Sequence, residues 1–394
     1  MLAATTLKKP WGENMTDLSR RSMLAGAAAL APALSSGTAF AQPAPRYSQP
    51  SVISNPPRQW GPEAPPVMFP DPDIIINDPA FADLNVGLTA IHRVATGFQW
   101  AEGPAWCEQG NFAVFSDVKG SVQYRYIWET GQVTTYRKES FNSNGNAFDF
   151  QGRQISCQDD PRRVVRYEHD GSMTVIADNY QGKPLNSPND IAVHPDGGIW
   201  FTDPLYGGQL SEGHPDLGDG PFNRGGLRDP RPGNTGVGVF GPTKQVLPTQ
   251  IYRWDPSGRL DVVATGKVPN GLAFSPDWKK LYFLWGGEIA VADVVNNKLA
   301  NIRTFTDCVV DGVRCGSDGM RVDRAGNLWS PSNAPLGYSG VTVWNPAGKL
   351  LGRIRLPEVC ANLTFAGPKR DWLFMTASQS IYLLRVNIQG AGPF

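Results

Sequence analysis

Apolar residues along this chain fall in short runs of roughly four to six, broken by Gly, Pro, Asp and Asn at intervals too close for helices. The runs repeat as a unit. A polar residue, usually followed by Gly or Asp, opens an apolar strand; a Gly turn follows, then a second strand rich in aromatics. The copies pair residues 102–106 with 112–116, 144–148 with 153–157, 189–193 with 198–202, 270–274 with 280–284, 318–322 with 327–330, and 362–365 with 372–376. Third strands recur at 251–255 and 341–345. The opening residues are spaced 42, 45, 81, 48 and 44 positions apart. Four of these intervals match one four-stranded propeller blade of about 40–50 residues, and the fifth holds an insertion at about 205–246. The pattern predicts an all-β, six-bladed β-propeller over 73–394. The last blade lacks an outer strand after residues 381–386, and residues 90–94 supply it from the other end of the chain, hiding the edges an open sheet exposes.

Each opening residue begins the innermost strand of its blade, so all six converge on one mouth of the central channel. They are Glu102, Asn144, Asn189, Asn270, Asp318 and Asn362, every one with a side-chain oxygen. Singly, Asn or Asp before Gly reads as a turn; six at equivalent positions read as a hard-cation site. One divalent cation is expected, calcium first, with magnesium, manganese or zinc as the other candidates. Zinc prefers the His and Cys ligands this set lacks.

Composition agrees with many short strands: 43 Gly, 34 Pro, 41% hydrophobic and only 18% charged residues. A formal net charge of zero leaves no footprint for nucleic acid or for stable membrane association. The N-terminus reads as an address. Ser19-Arg20-Arg21-Ser22-Met23-Leu24, an apolar run over 25–34 and Thr38-Ala39-Phe40-Ala41 fit a twin-arginine export signal over 1–41, with 1–14 as an upstream extension. The expected location is periplasmic or secreted, with the twin-arginine machinery as partner during translocation. Residues 42–72, rich in Pro, Ser, Gln and Asn, read as an extended leader without a core of its own. Of the five cysteines, Cys308 and Cys315 are near enough in sequence for a disulfide; the alternative is that all five are buried small hydrophobes.

Trp100-Ala-Glu-Gly-Pro104, Asn186-Ser-Pro-Asn-Asp190 through Phe201-Thr-Asp-Pro204, Pro269-Asn-Gly271 and Ser317-Asp-Gly319 resemble the gluconolactonase and senescence-marker (regucalcin) family over about residues 72–386. The resemblance implies a six-bladed propeller with a divalent metal at the channel mouth. It also implies hydrolysis of a sugar lactone, such as gluconolactone, to the aldonic acid. By matching motif, Glu102, Asn270 and Asp318 are the principal metal ligands, and Asn189 is a further metal- or substrate-binding residue. Asn144 and Asp190 join Asn189 as substrate-binding candidates. The implied mechanism is metal polarisation of the carbonyl, with Asp318 as ligand and base together and Asp190 as the second candidate base. Relatives carry Cys-Glu-His where this chain has Cys157-Gln158-Asp159, so any role of that His is missing here. The 205–246 insertion reads as a loop over the mouth, a lid setting substrate range, with a solvent-exposed excursion as the alternative. Tyr206 and Trp285 follow strands that lead away from the mouth or into loops and receive no assignment. Gly236-Val-Gly-Val-Phe-Gly241 lacks the strand and helix that a dinucleotide site needs. Two other readings stand: a phosphotriesterase-like hydrolase, and a non-enzymatic propeller binding sugar or calcium.

Overall fold

The computed structural model describes residues 49–160, 162–204, 206 and 247–392. Six antiparallel sheets form the blades of a six-bladed β-propeller. Blade 1 runs outward from Ala101–Cys107 through Phe112–Asp117 and Val122–Ile127 to Gln132–Lys138. Blade 2 runs from Ser143–Phe148 to Met173–Ala177, blade 3 from Ile191–Val193 to Leu260–Thr265, and blade 4 from Pro269–Phe274 to Lys298–Thr306. Blade 5 begins at Arg321–Val322 and blade 6 at Cys360–Ala366. The innermost strands Ala101–Cys107, Pro269–Phe274 and Cys360–Ala366 are buried at every residue, whereas the outermost strands of blades 1 and 4 are largely half-buried or exposed. Strands covered on both faces read as unbroken apolar runs, and outer ones lose that signal. This is why the sequence marks the inner two strands of each blade most clearly.

Closure follows the expected route, two residues further on. His92–Thr96 is the outer strand of blade 6, with His92 opposite Leu383 and Thr96 opposite Ser380. A second N-terminal strand, Ile74–Ile76, adds a fifth strand to blade 5, with Ile74 opposite Ile354. The structure also corrects the expected leader over 42–72. From residue 49 onward it packs on the propeller: Val52, Arg58, Asp71 and Asp73 are buried. The Arg58 guanidinium lies 2.9 Å from Asp71 and 3.3 Å from Asp73. It stacks 4.1 Å over Trp60, whose ring meets Tyr382 edge-on at 5.2 Å. A polar composition hid this segment because its anchor is a buried ion pair.

Between blades the core is aromatic. Trp200 meets Phe274 edge-on at 5.5 Å and Trp329 meets Phe365 at 5.6 Å. All five cysteines are buried free thiols, so the small-hydrophobe reading holds and the Cys308–Cys315 disulfide is absent. These two residues face each other across a hairpin of Val309–Val310 and Val313–Arg314, where the Cys315 N–H donates to the Cys308 carbonyl at 2.8 Å. No helix among the described residues is long and apolar enough to cross a membrane.

Candidate active site

The six innermost strands touch in ring order, blade 6 closing on blade 1. What lets them approach is glycine. A Cβ built on Gly103 would lie 1.9 Å from the Asn144 carbonyl oxygen, and one on Gly145 would lie 2.5 Å from that of Asn189. On Gly271 it would lie 2.1 Å from the Asp318 carbonyl oxygen, and on Gly319 2.0 Å from the Asn362 side chain. The glycine after each of these opening residues is therefore a point of close contact with the opening residue of the next blade. Backbone bonds run through the same places: Gly145 N–H to Asn189 O at 2.8 Å, and Gly271 N–H to Asp318 O at 3.1 Å. Asn144-Gly145 and Asn270-Gly271 lie within inner strands, as the repeat predicts, whereas Asp318-Gly319 lies just before the Arg321–Val322 strand.

Glu102, Asn144, Asn189, Asn270 and Asn362 are buried, and Asp318 is half-buried. One carboxylate oxygen of Glu102 accepts from the Asn362 amide at 3.0 Å and from the Gly103 N–H at 2.5 Å, which locks the side chain. The Asn144 backbone is pinned through its carbonyl, which accepts from Ser116 Oγ at 2.8 Å and Asn146 Nδ2 at 3.0 Å. Its amide Nδ2 has no hydrogen-bond partner among the described residues, and neither does Asn270 Oδ1. A buried polar atom left unpaired costs about 1–3 kcal/mol, so both atoms are poised for something the described residues do not provide. Glu102 and Asp318 both act electrostatically on the buried Cys360 thiol, which burial drives well above the usual thiol range.

Beside Asn270 and Asp318 opens a cleft of about 750 Å³, also lined by Trp100, Lys119, Arg314 and Asn333. Tyr206, unassigned from sequence, lines it too, while Trp285 is buried and packs on Phe283. Sequence reading left Tyr206 out because the strand before it, Ile199–Asp203, points into a long insertion. Apart from Tyr206, the expected lid over 205–246 lies outside the described residues, as do the export signal and the Gly236 motif.

Asp190 stands apart from the cleft. It is buried, takes no part in the cleft lining, and faces Arg321 inside the channel. Burial raises the Asp190 carboxyl above its ordinary range, with Arg321 the strongest opposing influence. Burial likewise lowers Arg321, which Asp190 and Glu102 offset. The Arg321 guanidinium donates to the carbonyls of Met320 at 2.7 Å and Pro104 at 3.2 Å. Sequence reading missed Arg321, yet a signal exists. The third residue after each opening position is Ala105, Ala147, Ala192, Ala273, Arg321 and Phe365, so one long cation stands among small and apolar residues.

The loop bearing Asn189 is fastened from behind. Asp203 is fully buried and accepts from the N–H groups of Asn186 at 2.9 Å and Ser187 at 2.7 Å; burial lifts its carboxyl to about 7. Asp159 accepts from Ser187 Oγ at 2.8 Å. His194 packs against Phe274 and Trp278 at the Asp196 turn and is structural.

A divalent cation fits this set. The donors are carboxylate and amide oxygens, and Asn270 Oδ1 is buried and unpaired.

Residues 100–379 match the family model described as the SMP-30/gluconolactonase/LRE-like region. A gluconolactonase of Zymomonas mobilis is 30% identical over 329 residues, covering 77% of this chain and 83% of the relative. A pentonolactonase of Haloferax volcanii is 29% identical over 302 residues, 74% of this chain and 86% of its own. Among solved structures, a gluconolactonase of Xanthomonas campestris superposes with a TM-score of 0.67 at 32% identity, covering 83% of this chain and 99% of that one.

Proposed function

The chain belongs to the SMP-30/gluconolactonase/LRE-like family, and on that premise we propose that it is a lactonase opening a sugar lactone to its hydroxy acid. In this reading Glu102, Asn189, Asn270 and Asp318 hold one divalent cation, calcium first. The observation that carries it is the unpaired, buried Asn270 Oδ1 beside Asp318 at the wall of the mouth cleft. The bound cation supplies a Lewis acid for the ring carbonyl.

The chain's own groups do the rest. Asp318 is half-buried on the cleft wall, where a carboxylate can accept a proton from the attacking water. Water oxygen joins the carbonyl carbon, the ring C–O bond breaks, and the ring oxygen leaves as a hydroxyl carrying a proton. Asn144 offers its unpaired Nδ2 donor to a sugar hydroxyl, and Asn189 shares in metal or substrate binding. Asp190, balanced against Arg321 behind the site, is assigned to charge balance in place of substrate contact or base catalysis.

Hydrolysis of D-glucono-1,5-lactone, followed by proton release with calcium, magnesium or manganese added in turn, tests the reading. Metal-dependent turnover that Asp318→Ala reduces about a hundredfold or more supports it. A folded protein inert toward gluconolactone and pentonolactones with every metal overturns it in favour of a phosphotriesterase or a binding module.

Export through the twin-arginine route is proposed alongside, resting on Arg20 and Arg21. Replacing both with Lys should leave the precursor in the cytoplasmic fraction; unaltered export would contradict it.

A further inference from the structure

We propose, resting on the lactonase reading above, that the cleft selects lactones carrying an anionic substituent, carboxylate or phosphate, remote from the ring ester. The cleft wall carries charge of both signs: Asp318, with the neutral Asn270, and the cations Lys119 and Arg314. A neutral sugar lactone leaves the cations unused.

Arg314 is exposed at the cleft wall but tethered. It ends the second strand of the Val313–Arg314 hairpin, closed by the Cys315 N–H to Cys308 carbonyl bond. Its Nη1 is anchored on the Gly287 carbonyl at 3.3 Å. Among the described residues no carboxylate bridges to it, whereas Arg153 is bridged to Asp149 and Glu168, and Arg253 to Asp196 and Asp255. An anchored guanidinium keeps a planar fork of donors, which matches a carboxylate or phosphate in a two-point contact. Lys119, half-buried, lies 5.4 Å over the Trp100 ring, and this cation–π contact holds a second positive charge at the cleft wall. Arg314, Gly316, Ser317 and Asp318 are nearly consecutive and all line the cleft. One short segment thus carries both the proposed base and the proposed anion anchor. A substrate bound with its carbonyl toward Asp318 and its anion toward Arg314 would satisfy both charges.

The test compares kcat/KM for 6-phospho-D-glucono-1,5-lactone and D-glucaro-1,4-lactone with that for D-glucono-1,5-lactone, at low and high ionic strength. The expected result is a preference for at least one anionic lactone at low salt, with the phosphate and carboxylate arms telling the two sources apart. Arg314→Ala should cut the anionic-to-neutral ratio about tenfold or more, chiefly through KM. Arg314→Lys should restore part of it, and added salt should erode it. Lys119→Met provides a second, independent reduction. A ratio indifferent to both charges overturns this inference and leaves the lactonase intact. Failure to hydrolyse any of the three lactones overturns the lactonase reading and this inference with it.

Discussion

Arg321 and Asp190 show how much a single buried pair decides. Both are buried inside the channel, and each is the other's main electrostatic counterweight. Removing one partner leaves an uncompensated charge, so Arg321→Met should cost about 3–5 kcal/mol in urea unfolding. Adding Asp190→Leu should recover most of it; a double variant no better than the single would contradict the pairing. Asp203 makes a pH prediction. Its folded carboxyl keeps a proton up to about 7, against an ordinary 3.8. Between those values the native state binds more protons than the unfolded chain, so Asp203 makes stability fall as pH rises from about 4 to about 7 and level off above. Stability curves of the parent and Asp203→Asn should differ by that slope, and parallel curves would refute it. At this scale the oxygen-bearing set was legible because its members open repeats. Arg321 was legible only by aligning the repeats to one another, and Asp203 not at all, because its role lies in two backbone amides 16 and 17 residues earlier.

At the scale of the element, the inner strands pack closely because a glycine follows four of the six opening residues. Gly271→Ala puts a methyl group 2.1 Å from the Asp318 carbonyl oxygen, where the neighbour is backbone and must shift. We expect a loss of about 1–3 kcal/mol, with calcium affinity falling further than stability because Asp318 moves. Gly87→Ala, which meets nothing within 4 Å, is the control and should change neither. Thermal melts and calcium titrations on the two variants check this; equal behaviour would remove the close-contact account. The sequence marks these strands by their repeat, although an Asn-Gly pair taken singly has the composition of a turn. Covered strands such as Cys360–Ala366 announce themselves as apolar runs, while short ones such as Arg321–Val322 show only through their repeat position.

For the molecule as a whole, the ring is closed by chain from far away in sequence: His92–Thr96 completes blade 6 and Ile74–Ile76 extends blade 5. A chain beginning at residue 98 loses both strands and bares two sheet edges. It should aggregate or melt without cooperativity, whereas one beginning at residue 49 should melt as the full chain does. The repeat period and the closure were both legible in the amino-acid pattern, since every blade repeats the same two-strand signal. The docked segment from residue 49 was not, because buried Arg58, Asp71 and Asp73 look like surface residues in a one-dimensional pattern. Under the proposed function, activity depends on one divalent cation that Glu102, Asn189, Asn270 and Asp318 would hold at the ring's mouth. The most direct measurement is to strip the protein with chelator and titrate calcium while following binding and gluconolactone hydrolysis together. Activity should rise in proportion to occupancy of one site, and Asn270→Ala should weaken both by about tenfold or more. Full activity in the stripped protein, or calcium binding unaffected by Asn270→Ala, would contradict a catalytic cation at that site.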